Sequence, residues 1–236
     1  QGKLLAGENM GIYAGKTLDN AGHAMESGNN LSIETGDIVN NAAGTIKSGG
    51  SQQIKAGHTL TNTEGTLAAD GNINIQTDKM TGDGIVSAGK KAGILLEKDF
   101  TNTGRLEAGS SLSLAVKGNI TNRKEILSRG HLALESKNIR NEETGEIKGA
   151  DTETVAENTW VNHGLVNGEN VHIRANHITN ENTGRIYGTR LSVEADTLDN
   201  LGTYKKKAPV IASREHMNLS VASTLTNTEH ALIRAE

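Results

Sequence analysis

Apolar positions along the chain fall into short alternating pairs, not into helical spacing. Leu31 and Ile33, Ile73 and Ile75, Leu112 and Leu114, Leu132 and Leu134, Val171 and Ile173, and Leu191 and Val193 each place two apolar side chains on one face of a strand. A second pairing sets an apolar residue and a small one ahead of glycine: Met25 and Ser27 before Gly28, Ile46 and Ser48 before Gly49, Val86 and Ala88 before Gly89, Leu106 and Ala108 before Gly109. The third element is an apolar residue, a spacer and an asparagine. It ends at Asn20, Asn40, Asn62, Asn102, Asn122, Asn141, Asn162, Asn180, Asn200 and Asn227, with Gly82 standing in once.

Successive corners lie 18 to 22 residues apart, apart from one final step of 27, so about eleven units of roughly 20 residues tile positions 1–236 as one repeat segment. Each unit holds three short strands separated by turns, and no unit can bury its inward face alone. Stacking the units in parallel, strand on equivalent strand, joins the inward side chains into continuous apolar columns. The predicted fold is all-β, a parallel β-helix, right-handed because crossovers between parallel strands are overwhelmingly so. At about 4.8 Å per coil such a solenoid would be about 50 Å long. Asparagine suits the corner for two reasons. It tolerates left-handed backbone, and its amide can bond turn backbone or ladder onto the asparagine of the next coil.

Three irregularities stand out. Coils 1, 3 and 6 carry an extra residue between the third strand and the corner, each with a glycine there: Gly15, Gly57 and Gly118. In coil 8, counting back from Trp160 puts Glu153 where other coils have Leu31, Ile73 or Leu132. A lone buried carboxylate is costly, so the strand is expected either to loosen or to turn Glu153 outward while Trp160 fills the column, the alternative for Trp160 being an exposed sugar-stacking surface. The 27-residue step predicts an inserted surface loop over 203–214, in which Tyr204, Lys205, Lys206 and Lys207, followed by the only proline, Pro209, form a candidate contact loop.

Composition narrows the chemistry. Five aromatics, 28 glycines, no cysteine and a net charge of −4 with both signs interspersed give no basic footprint for nucleic acid and no disulfide framework. No run approaches the roughly 20 apolar residues of a membrane-spanning helix. Outward charges alternate in sign between coils, as with Glu26 beside Lys47 and Glu34 beside Lys55, which reads as cross-strand pairing and not as a catalytic cluster. His163, His172 and His177 lack the spacing of a zinc site. No catalytic residue, metal ligand or cofactor site is assigned, although β-helices do include polysaccharide-cleaving enzymes and that class remains as an alternative.

The segments "GRLEAGSSLSLAVKGNITN" and "GTLAADGNINIQTDKMTG" resemble the repeat of the filamentous haemagglutinin family, and the likeness runs through the entire chain. The resemblance implies a long right-handed β-helical stalk, exported through a dedicated outer-membrane pore by two-partner secretion and displayed on the bacterial surface. It implies an adhesin that meets a protein or glycan receptor on host or neighbouring cells. Similar repeats build the stalks of contact-dependent growth inhibition proteins, and for such a stalk the coil 8 irregularity and the lysine loop would be the receptor-binding candidates. The chain is expected to be a piece of a longer rod whose open coils could associate end to end.

Overall fold

The computed structural model describes residues 2–40, 42–203 and 208–236. Among them there is no helix, and the strands pair in parallel with their counterparts roughly one repeat away. Two compact units result, residues 1–118 and 119–236. Each is a parallel β-solenoid built on the three-strand coil.

In the first unit, Ala24–Ser27 stacks on Thr45–Ser48, and that strand on Thr66–Ala69, residue against equivalent residue. The longer strand Leu31–Val39 stacks on Gln52–Thr61, and the latter on Ile73–Thr81. In the second unit His131–Asn141, Asp151–Asn162 and Leu165–Arg174 follow one another in the same way. This register turns the alternation into columns: Leu31, Ile33, Ile73, Ile75, Leu132, Leu134, Val171, Ile173, Leu191 and Val193 are all at most 2% exposed. Burying such a side chain stabilises by about 1.5–3 kcal/mol. The small residues ahead of glycine, Ser27, Ser48, Ala88 and Ala108, are buried too, at the narrow edge of the coil.

Bulges keep unequal coils in register. Three positions separate Ala14 from Thr17 and Ala56 from Thr59, where the facing strands need two, so the extra residues, with Gly15 and Gly57, are absorbed before the corner. The same device appears in coil 8 without a glycine: Ala156 to Thr159 spans three positions against Ser136 to Asn138. Counting back across this bulge displaces the register by one. Thr152 and Thr154 therefore occupy the apolar column, and Glu153 faces solvent. Trp160 is fully buried in the column of Ile139 and Ile178, which rules it out as a sugar-stacking surface.

Of the expected surface loop over 203–214, residues 204–207 lie outside the described residues. Strand resumes at Val210, with Ile211 and Ser213 inward and buried and Pro209 buried just ahead of them. Asn180 to Arg185 spans five positions and Asn200 to Val210 ten, so five of the seven additional residues lie in the connection. The other two are single-residue bulges, one between Ser213 and His216 and one between Val221 and Thr224. The strand resumes early because Ile211 matches the buried position of Ile186, which the composition of the segment disguises.

Candidate functional site

The corner asparagines meet as a hydrogen-bonded column inside each unit. Asn20 donates through Nδ2 to Asn40 Oδ1 at 2.7 Å, and Asn40 to Asn62 at 2.8 Å. In the second unit Asn122, Asn141, Asn162, Asn180 and Asn200 each donate to the next asparagine, ending on Asn227, over 2.8–2.9 Å. The same amides also donate to strand carbonyls of the next coil, as Asn141 does to Leu165 at 3.2 Å. Asn102 is likewise buried, at 2% exposure, whereas Asn227 is exposed.

Left-handed backbone, however, is not what selects asparagine. None of the ladder asparagines has positive φ; at four corners that conformation falls two residues later, at Gly22 (68°), Ala42 (51°, followed by Ala43 at 59°), Glu64 (55°) and Asn182 (58°). The asparagines stay extended and serve through their amides. Gly82 is the odd member for the opposite reason. Its φ is 105°, and a Cβ there would lie 2.4 Å from the Asn62 carbonyl carbon, so the chain passes too close to the preceding corner for any side chain.

A second polar column, unread in the sequence, lies at the next corner of the first unit. Asn9 Oδ1 accepts from Asn30 N (3.1 Å), Asn30 Oδ1 from Ser51 N (2.9 Å), Ser51 Oγ from Asn72 N (3.1 Å) and Asn72 Oδ1 from Lys91 N (3.2 Å). Its signal was available: a short polar residue stands directly before the inward pair in coil after coil.

Tyr204, Lys205, Lys206 and Lys207, the candidate contact loop, lie outside the described residues. The histidines divide. His163, directly after a ladder asparagine, is buried between two carboxylates of adjacent coils. Its Nδ1 lies 3.3 Å from Arg140 Nη2 and 3.5 Å from Glu142 Oε2, and its Nε2 lies 2.8 Å from Glu181 Oε1. Burial pulls the Glu142 carboxyl upward, but the hydrogen bond and charge of Arg140, with His163 and Arg123 behind it, prevail and hold it below its ordinary value. Position after the corner was the only clue to this cluster.

His172 instead lines an open groove of ≈ 490 Å³ on the second unit, together with Asp151, Glu153, Arg190 and His216. Strand register explains the gathering: His131 faces Asp151, Asp151 faces Asn170, Asn170 faces Arg190 and Arg190 faces His216, one per coil. Two residues further on, Glu153, His172, Ser192 and Asn218 form the neighbouring outward column. Beside the groove Gly168 and Gly188 stack on one another. Two contacts tie its charges down: Asn170 Nδ2 donates to Asp151 Oδ1 at 2.6 Å, and Arg190 pairs with Glu215 at 2.9 Å. Asp151 is so engaged, and Glu153 is the groove carboxylate whose side chain has no hydrogen-bond or ion-pair partner among the described residues.

Parallel coils of about 20 residues, a buried asparagine column and outward faces of mixed polarity define a structural repeat protein. The family model for the haemagglutinin repeat matches residues 1–159 and 161–229, and the chain belongs to that family. No curated protein and no solved structure matches it. The family is one of structural adhesin repeats, and its proteins are secreted surface adhesins.

Proposed function

We infer that this chain is a stalk segment of a secreted bacterial surface adhesin, exported through an outer-membrane partner pore, whose task is reach, stiffness and contact with host or neighbouring cells. The observation that carries this is the asparagine column: within each unit, runs of buried amides bonded to one another and to strand backbone of the next coil hold successive coils together. Such an arrangement suits load-bearing and leaves the outward columns free to vary. Membership of the haemagglutinin repeat family supports export and surface display. The test is attachment: beads coated with the chain are counted on cultured epithelial and bacterial cells against beads coated with an unrelated β-solenoid. Attachment above that reference is expected. Equal counts, with release of reducing ends from a polysaccharide panel, would move the chain to the enzyme class.

A further inference from the structure

We propose that the groove of the second unit is a saccharide-binding cleft, taking a short run of a neutral, hydroxyl-rich glycan laid across successive coils. The proposal rests on the adhesive reading above and gives it a location and a ligand class.

The position directly before the inward pair changes its employment along the chain, and from Ser111, whose N donates to Lys90 O at 3.4 Å, the closure passes to backbone carbonyls. In the first unit it holds Asn9, Asn30, Ser51 and Asn72, whose side chains close the backbone of the following coil. In the second unit backbone carbonyls perform that closure: Asp151 N donates to Gly130 O at 3.2 Å and Asn170 N to Ala150 O at 3.0 Å. The side chains are thereby released from closing the backbone, and at this position the column becomes His131, Asp151, Asn170, Arg190 and His216, of which His131 and His216 bond to no other side chain among the described residues. Solvent alone would not require that change, since the short polar residues of the first unit are equally soluble.

The released groups have the chemistry of hydroxyl recognition. His131, Glu153, His172, Ser192, His216 and Asn218 line the groove, and none of their side chains makes a hydrogen bond or ion pair among the described residues. Carboxylate, amide and imidazole are planar and offer acceptors and donors side by side, as adjacent sugar hydroxyls do. Charge argues against an anionic ligand, because the groove's one arginine is held by Glu215 while Asp151 and Glu153 supply negative charge. A peptide adding itself as a strand would need an open sheet edge, whereas the strands beneath this groove are paired on both sides. The lining has no Phe, Tyr or Trp for stacking. A single cleft therefore binds weakly, and useful avidity comes from many copies displayed together.

The test passes the chain over immobilised cellotriose, chitotriose, maltotriose and lactose, alongside sialylated and sulfated oligosaccharides. The companion variants are the Glu153→Ala/His172→Ala double substitution and Glu34→Ala, an outward residue of the first unit. Thermal melts establish that all three proteins are equally folded. Retention on at least one neutral sugar is expected, weakened about tenfold by the double substitution and unchanged by Glu34→Ala, as befits the loss of hydrogen bonds to a charged group. Retention on no neutral sugar, on acidic sugars alone, or with no response to the double substitution would overturn the cleft. Cell attachment that persists through such a failure would sink the cleft alone, whereas loss of attachment would sink the adhesive reading beneath it.

Discussion

Asn141 shows how much one buried amide carries. It accepts from Asn122 at 2.9 Å and donates to Asn162 Oδ1 and to the carbonyls of Leu165 and Gly145. Alanine there leaves Asn162 Oδ1 without its donor and the Asn122 amide with only its backbone acceptors, so Asn141→Ala is expected to cost about 2–3 kcal/mol, read as a lower urea midpoint at constant slope. Thr154 is the converse case. It is fully buried between Leu134 and Ile173, and its Oγ1 has no hydrogen-bond partner among the described residues. Thr154→Val exchanges an unsatisfied hydroxyl for a methyl of the same shape and is expected to stabilise by about 1 kcal/mol; a lowered midpoint would mean the hydroxyl has a partner after all. At this scale the sequence was informative wherever a residue type recurred. The inward pairs and corner asparagines are legible from repetition alone, but the φ angles of the asparagines are not, because composition cannot tell an amide chosen for its hydrogen bonds from one chosen for its backbone.

Elements are where local irregularity decides what meets what. The bulges of coils 1 and 3 are legible through Gly15 and Gly57, whereas the bulge at Glu157 and Asn158 has no glycine to mark it, and that single unmarked residue moves Glu153 from the core column to the groove. The groove itself was illegible for the same reason: its members come from five coils and share nothing but register. The His163 cluster depends on adjacency between coils too, and it carries a pH dependence. Because the folded state holds the Glu142 carboxyl below its ordinary 4.5, the ionised form is favoured in the fold. The resulting stability is present above pH 4.5 and is lost as pH falls through the lowered value. Arg140 lowers that pKa through its hydrogen bond and charge, so Arg140→Gln is expected to flatten the acid limb of a plot of melting temperature against pH while leaving its slope above neutrality alone. An unchanged acid limb would assign the effect to other carboxylates.

Across the molecule the same coil is used repeatedly, and that makes a strong demand on the second unit. If each coil is held chiefly by its two neighbours, an entire coil can be removed provided the cut joins equivalent positions. Deleting residues 142–162 does so. Asn141 is then followed by His163, Ile126 would meet Val166, Leu132 would meet Val171, Ile139 would meet Ile178, and Asn141 could donate to Asn180 as Asn162 does now. The apolar positions named above meet apolar positions again, and the buried Thr152 and Thr154 leave with the deleted coil. The shortened chain should therefore melt cooperatively, with an unaltered β-sheet circular dichroism band and a Tm within about 5 °C of the parent. Deleting residues 142–151 alone must behave differently, because it sets the outward face of one strand against the inward face of the next and every following side chain inherits the error. A full-coil deletion that unfolds as badly as the half-coil one would mean that the unit is held together by particular contacts of coil 8, and not by the repeat.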